Sequence, residues 1–291
     1  MQCWEQFGDW YSRQLVAAEM HGVPAYELDW LILQSTQLDK LDLRLQSSRL
    51  KDKISPELMS NLDRLWQQRL QNRTPVQYLV GSTSWRNLEL QVSPDVLIPR
   101  PETELILDIV ANNCLAIPDQ QGYWVDLGTG SGAIAIALAQ YFPHLPIQAV
   151  DLSIEALAIA QSNAYRHGIT NINFACGSWF EPLASCQGQI LGMVSNPPYI
   201  PSAEVLQLQP EVTNHEPHLA LDGGADGLDA IRHLVAIAPA YLVSGGFWLV
   251  ELMAGQAPTV RSLLKSHGKY WQVQIHKDYA GIERFVSART K

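Results

Sequence analysis

A strand that runs into alternate glycines and then a helix leaves few architectures open, and residues 123–141 have that form. Tyr123-Trp124-Val125-Asp126-Leu127 reads as a short apolar strand. It passes into Gly128-Thr129-Gly130-Ser131-Gly132 and then into the helix Ala133–Tyr141. The glycines permit a tight strand-to-helix turn and let a ligand approach bare backbone. A second strand, Pro146–Val150, ends in Asp151, and the helix after it has Ser153 as N-cap. Asn171–Cys176 forms a third strand that leads to Gly177-Ser178-Trp179-Phe180. Ile190–Val194 and Gly246–Leu252 are further strands, a helix runs near Leu228–Val243, and the helix Ala257–Ser266 with the segments Trp271–His276 and Arg284–Ala288 closes the chain. Strands alternating with helices predict an α/β unit around a mostly parallel sheet.

The first 72 residues have a different rhythm. Trp4, Phe7, Trp10, Tyr11 and Leu15 recur at helical spacing, and Leu28, Leu31, Ile32 and Leu38 follow it less cleanly. Ser55-Pro56-Glu57-Leu58 is a helix start, with Ser as N-cap and Pro at the first helical position. Leu58, Leu62, Leu65, Trp66 and Leu70 then form one stripe. The pattern predicts a small helical domain over 1–72, a linker with a hairpin over 73–95, and the α/β domain over 96–291. Prolines on both sides of Arg100 fix an extended loop, which either serves a ligand through Arg100 and Glu102 or acts only as a connector.

Charge narrows the partners. The 291 residues carry a net charge of −9. Residues 1–75 hold nine basic and ten acidic side chains, so nearly all of the excess lies in the larger part. There is no Lys/Arg block, whereas a nucleic-acid duplex calls for a basic footprint. Free nucleic acid is therefore not expected as a ligand. An apolar run long enough to cross a membrane is missing, and the first residues lack the basic and apolar blocks of a signal peptide. Cys3, Cys114, Cys176 and Cys186 are scattered, with no C-x-x-C pair. The expectation is a cytoplasmic protein with no disulfide framework and no metal site.

The chemistry concentrates after the strand Ile190–Val194, in Ser195-Asn196-Pro197-Pro198-Tyr199. Neither proline can donate to a ladder, so the strand stops there, and the residue before each proline is held extended. The Asn196 side chain and the Pro197 carbonyl then point in fixed directions, with Tyr199 as an aromatic face beside them. Two hydrogen-bond acceptors and a flat wall suit a planar –NH2 group. A plain Pro-Pro turn closing a strand is the alternative. Tyr199 and Trp179 each have the alternative of ordinary core packing.

Two cofactors fit the glycine turn. Gly128-x-Gly130-x-x-Ala133 with Asp151 passes for a dinucleotide fingerprint, which would place a pyrophosphate on the helix N-terminus. S-adenosylmethionine carries no phosphate. Its amino-acid part would lie against the turn, and Asp151 would take the ribose hydroxyls. Asp126 would face the charged amino group. Asn196-Pro197-Pro198-Tyr199 has no task in hydride transfer and decides for S-adenosylmethionine.

With these residues in hand, the chain resembles the peptide chain release factor N(5)-glutamine methyltransferases, the HemK/PrmC family of Rossmann-like enzymes, which implies a mostly parallel seven-stranded sheet. The likeness covers nearly the whole chain. It includes Arg73–Tyr78, Ile98–Thr103, Asp126–Gly132, Asn196–Tyr199, Glu216–Gly224 and Asp278–Arg284. Asn-Pro-Pro-Tyr is shared with enzymes that methylate amino groups of DNA or RNA bases, which remain the alternative function. The resemblance implies methyl transfer from S-adenosylmethionine to the glutamine of the Gly-Gly-Gln motif in class I release factors. It also implies cofactor contacts from Gly128, Thr129, Gly130, Ser131, Gly132, Asp151, Trp179 and Asn196. Asn196, Pro197, Pro198 and Tyr199 would hold the glutamine, with Asn196, Pro197 and Tyr199 at the reacting nitrogen. One departure is Glu251-Leu252-Met253-Ala254-Gly255-Gln256, where the family often has Glu-Ile-Gly before a Gln.

Overall fold

A computed structural model describes residues 3–36, 38–45, 53–114 and 121–291. The chain divides into two compact units, Met1–Ser82 and Thr83–Lys291.

The first unit is helical: α1 (Cys3–Met20), α2 (Ala25–Thr36), α3 (Lys40–Arg44), α4 (Pro56–Asn72) and α5 (Val76–Val80). Ser55 caps α4 by accepting from Leu58 N–H at 3.1 Å, with Pro56 at the first helical position. Leu62, Leu65, Trp66 and Leu70 form the buried stripe of α4 against Phe7, Trp10, Leu28, Leu31 and Ile32. The side chain of Trp4 lies outside the described residues. Two polar pairs fix the packing: Trp10 Nε1 donates to Asp63, and Arg69 meets Glu27 in an ion pair.

The hairpin β1 (Ser82–Trp85) and β2 (Leu88–Gln91) starts at the last residue of the first unit and lies otherwise in the second, followed by α6 (Leu105–Cys114). Its sheet contains β3 (Tyr123–Leu127), β4 (Ile147–Asp151), β5 (Ile172–Cys176), β6 (Ile190–Ser195), β7 (Leu242–Glu251), β8 (Tyr270–Lys277) and β9 (Glu283–Thr290). The order is β5-β4-β3-β6-β7-β9-β8. β3 to β7 run parallel, and β9 is antiparallel to both of its neighbours. The connecting helices are α7 (Ala133–Tyr141), α8 (Ile154–Arg166), α9 (Asp229–Tyr241) and α10 (Ala257–His267).

Strand alternation sorts the core onto the two faces of the sheet. Trp124, Phe247 and Leu249 pack with α6 and α7 on one face, while Val125, Leu127, Met193 and Trp248 pack with α9 and α10 on the other. Gly192 makes room for the Trp124 ring: a Cβ there would come within 2.4 Å of it.

One boundary differs from the sequence pattern. The helix expected through Val243 ends at Tyr241, and β7 begins at once at Leu242. Leu242 already has extended geometry and pairs with Ile190, and the Gly245-Gly246 pair obscures the first half of the strand in the sequence. Between β6 and α9 the chain forms short helical turns at Ser202–Val205, Pro210–Thr213 and His218–Ala220, and it returns beside the end of β6 through an Ile200–Asp222 bridge.

Candidate active site

Five parallel strands put five carboxyl ends on one edge of the sheet. Strand order reverses at β3, which lies between β4 and β6, and open α/β sheets hold ligands in the crevice at such a reversal. A cavity of about 610 Å³ occupies that place. Gly128–Ser131, Asp151, Trp179, Asn196 and Pro198 line it from the strand ends, and Pro99, Thr103, Pro217 and Leu219 line it from two loops.

The glycine turn is pinned from beneath. Gly128 and Thr129 N–H both donate to the Val150 carbonyl, Gly130 N–H to Asp151 Oδ2 at 2.8 Å, and Gly132 N–H to the Thr129 carbonyl. Gly128, Gly130 and Gly132 have φ of +77°, +53° and +83°, which explains the spacing of the three glycines. Asn163 on α8 donates to the Ser131 carbonyl and exchanges two hydrogen bonds with the Gln91 backbone of the hairpin. Four N–H groups of the turn are thus spent internally above two carboxylates. A pyrophosphate needs such groups free and finds negative charge unwelcome. The turn therefore disfavours the dinucleotide reading.

Asp126 does not face the cavity. By strand alternation it points to the α7 side, fully buried, where Oδ2 accepts from Thr129 Oγ1 at 2.6 Å and from Ala135 N–H at 3.1 Å. Burial pushes its carboxyl up to about 7, against the two hydrogen bonds. The expected contact with a ligand amino group is replaced by a brace under the turn. Asp151 does line the cavity. Its Oδ1 accepts from Ser153 N–H at 2.9 Å, and burial raises its carboxyl above the usual range.

Trp179 lies on the cavity wall with φ of +50°, a conformation that bulky side chains rarely adopt. A Cβ on Gly128 would meet the Trp179 ring at 3.8 Å and the Asn196 carbonyl at 4.0 Å, so the first glycine, the indole and the end of β6 converge.

The Asn-Pro-Pro-Tyr corner meets the cavity through Asn196 and Pro198. Pro197 is buried, and Tyr199 turns toward β7. Consecutive residues leaving a strand point to opposite sides, so the four cannot all face one ligand. Asn196 Nδ2 donates to Thr103 Oγ1 at 3.2 Å, Thr103 Oγ1 donates to Glu251 Oε2 at 2.7 Å, and Tyr199 OH donates to Glu251 Oε1 at 3.2 Å. Burial, then the Glu251 carboxylate, holds the Tyr199 phenol above its ordinary range. The corner is also backed from outside. Gln256 Nε2 donates to the Tyr199 carbonyl at 2.9 Å, and its Oε1 accepts from Met253 N–H at 3.0 Å, so the departing Glu251–Gln256 segment keeps an ordered loop.

Arg100 and Glu216 join the two loops over the cavity by an ion pair of 2.6 Å, with the Glu216 side chain only 2% exposed. Glu102 is exposed in the turn that opens α6, and His218 is exposed with Nε2 at 2.8 Å from the Thr213 carbonyl. Among the described residues no group of three or more His, Cys, Asp or Glu side chains is placed to hold a metal. Thr103, Glu216, Glu251 and Gln256 went unassigned in the sequence. All four lie in segments that carry the family resemblance, but only Glu251 had a signal of its own, as an acid ending an apolar strand in the manner of Asp151.

Comparisons with known proteins identify the family. The family described as Methyltransferase small domain matches residues 102–208, and the PrmC N-terminal domain matches residues 8–81. A release factor glutamine methyltransferase of Synechocystis sp. is 52% identical over 98% of this chain and 97% of its own. One from Geobacter sulfurreducens is 40% identical over 90% of this chain and 88% of its own. Among solved structures, the hMettl16 catalytic domain in complex with MAT2A 3'UTR hairpin 6 is 12% identical with a TM-score of 0.56, over 80% of this chain and 82% of that one. A Pyrococcus furiosus methyltransferase is 17% identical with a TM-score of 0.51, over 70% of this chain and 89% of that one. The last two likenesses concern the fold alone.

Proposed function

The chain belongs to the release factor glutamine methyltransferase family, and on that premise we propose how its site performs the reaction. It methylates the side-chain amide of a release-factor glutamine, which we take to be that of the Gly-Gly-Gln motif in class I factors. The cavity is assigned to S-adenosylmethionine. The donor set fits it: a turn with four N–H groups already spent within the protein, a carboxylate at the second strand end, and an indole on the wall. When bound, S-adenosylmethionine supplies a methyl group on a positively charged sulfur.

In this assignment Gly128–Gly132 hold the amino-acid part against the turn. Each Asp151 oxygen keeps a lone pair for a ribose hydroxyl beyond the N–H it already accepts. Trp179 packs beside the adenine. Asn196, with Nδ2 committed to Thr103, offers its carbonyl oxygen to an acceptor N–H. The Pro197 backbone carbonyl is the second acceptor, and the Pro198 ring is the wall on which the flat amide lies. Tyr199 works from behind, through Glu251. An amide nitrogen is a poor nucleophile because its lone pair is delocalised into the carbonyl. Gripping both N–H bonds orients the nitrogen and raises its electron density, so the gain is positioning and fixed dipoles rather than proton removal. Leu97, Pro99, Pro217 and Leu219 present apolar surface that excludes water from the bound amide.

The observation that carries this reading is the meeting of Asn196, Asp151 and the glycine turn on one cavity at the strand reversal. With labelled S-adenosylmethionine and a release factor, Asn196→Ala is expected to cut transfer by about 10²-fold or more. Cofactor affinity should stay close to wild type. Asp151→Ala should instead weaken cofactor binding in calorimetry. Near-normal transfer by Asn196→Ala, or label appearing on nucleic acid alone, would overturn the reading. The helical unit is assigned to recognition of the release factor. Unchanged release-factor affinity after removal of residues 1–72, with the remainder folded, would refute that. A cytoplasmic setting follows from such a substrate. Among the described residues no helix is long and apolar enough to cross a membrane.

A further inference from the structure

A carboxamide is nearly symmetric in shape, so the pocket outline cannot by itself choose which end of Asn196 faces the acceptor. The grip described above needs the oxygen there. With the amine in its place, two donors would oppose the two N–H bonds of the glutamine amide. The choice has to come from hydrogen-bond polarity, and the structure supplies a chain that has one.

We propose that Thr103 and Glu251 are positioning residues that set the orientation of the Asn196 carboxamide, so that its oxygen meets the acceptor amide. The inference rests on the proposed grip by Asn196. A threonine hydroxyl has one hydrogen, and an ionised carboxylate only accepts. Thr103 lies 2.7 Å from Glu251 Oε2, so its hydrogen is spent there. Its oxygen can then only accept, and the Asn196 group 3.2 Å away has to be the amine. Tyr199 gives its hydrogen to the other oxygen of Glu251 at 3.2 Å, which leaves that carboxylate with a donor on each side. Thr103 and Glu251 are 4% and 1% exposed, so water does not compete for these bonds. The three side chains come from the loop before α6, the end of β6 and the end of β7, which only the fold brings together.

The direction of the chain depends on the charge of Glu251. Burial pushes that carboxyl up to about 7, the hydrogen bonds from Thr103 and Tyr199 and the nearby Arg284 pull it down, and Glu102 raises it. Arg284 is itself paired with Asp278, and Arg100, which acts on Tyr199, is paired with Glu216. Once Glu251 takes a proton it can donate to Thr103. The Thr103 hydrogen is then released toward Asn196, and both orientations of the carboxamide become allowed. Turnover should therefore fall as pH drops through about 7.

The experiment measures transfer from labelled S-adenosylmethionine to a release factor by the full chain, at saturating concentrations of both. Cofactor affinity is measured by calorimetry and folding by thermal melting. Thr103→Val should lower kcat by about tenfold or more, the worth of a directed hydrogen bond to a charged network, and leave cofactor Kd within about twofold. Thr103→Ser should restore most of the rate. Glu251→Gln keeps the shape but has both a donor and an acceptor end, so it should lower the rate at pH 8 and abolish the fall between pH 8 and 6. The inference is overturned if Thr103→Val turns over at the wild-type rate while Asn196→Ala does not. It is overturned equally if Glu251→Gln keeps the wild-type pH profile, a result that does not depend on Thr103→Val folding. If Asn196→Ala itself transfers normally, the grip fails and this inference with it.

Discussion

Gly227→Ala tests whether the corner works because its back is packed solid. Gly227 has φ of +74°, and an added Cβ would lie 2.2 Å from the Tyr199 carbonyl oxygen and 2.7 Å from Gln256 Nε2. The left-handed backbone alone costs about 1–2 kcal/mol with a side chain. Disturbing the hydrogen bond from Gln256 to the Tyr199 carbonyl adds about 1 kcal/mol. The neighbour is backbone and cannot rotate away, so the Tyr199–Ile200 peptide has to shift by about 1 Å to reach ordinary contact. A displacement of that size at a positioning group costs about 10²-fold in rate. The total of about 2–3 kcal/mol corresponds to a fall of about 4–12 °C in Tm for a unit of this length. Gly245→Ala is the control, because Gly245 has φ of +78° and an added Cβ would meet nothing within 4 Å. It should lose about 2–8 °C in Tm and keep its turnover. The assay is kcat for methyl transfer, beside thermal melts of both variants. If Gly227→Ala melts lower but transfers within about threefold of wild type, the packing behind Tyr199 does not hold the corner in register.

Two further outcomes concern stability. Removing Arg100 leaves the Glu216 carboxylate buried and unpaired, whereas removing Glu216 leaves a guanidinium that is already 32% exposed. Arg100→Ala should therefore unfold more easily in urea than Glu216→Ala, by about 1–3 kcal/mol at pH 8, with the gap narrowing toward pH 5 as Glu216 takes a proton. Equal losses at both pH values would contradict the loop-tying role. Asp126 has its carboxyl raised by burial to about 7, above its unfolded value of about 4. Its contribution to stability is then present below about 4 and lost as pH rises through about 7. The stability of wild type relative to Asp126→Asn should fall across that window and level off above it, and parallel curves would rule out a buried, titrating Asp126.

What could be read from the sequence follows from how far each signal travels along the chain. The glycine turn, Asp151 with its helix cap, and the strand ending at Asn196 are local patterns, and each appears where periodicity and turn chemistry put it. The orientation of Asp126 was also available: it shares a strand face with Trp124, which sends it to the α7 side rather than into the cavity. Other features needed the fold. Thr103 and Glu251 are 148 residues apart, as Arg100 and Glu216 are 116 apart, and only the strand order makes them neighbours. The β7 boundary was hidden by Gly245-Gly246, whose poor strand propensity is overridden by pairing to β6 and β9.

The three acids at the strand ends bear on what kind of catalyst this is. Asp126, Asp151 and Glu251 present six carboxylate oxygens, and five of them accept hydrogen bonds from groups of the protein itself. The sixth, Asp126 Oδ1, is buried on the α7 side and lines no part of the cavity. Burying carboxylates is costly unless they organise their surroundings, and each of these does so. One braces the glycine turn, one ties that turn to the start of α8, and one orders the pair that flanks Asn196. None is left as a base for the acceptor nitrogen. That suits an amide, which no side-chain carboxylate could deprotonate, and it places the catalytic advantage in the directions in which fixed dipoles point. A site built this way should respond more to lost hydrogen-bond polarity than to lost charge at the cavity wall. Thr103→Val, which removes one hydroxyl and no charge, should then reduce turnover by more than Arg100→Ala, which removes a full charge from a loop over the same cavity. The opposite ranking, measured at pH 8 with both variants folded, would argue for electrostatic attraction of the substrate over orientation of its amide.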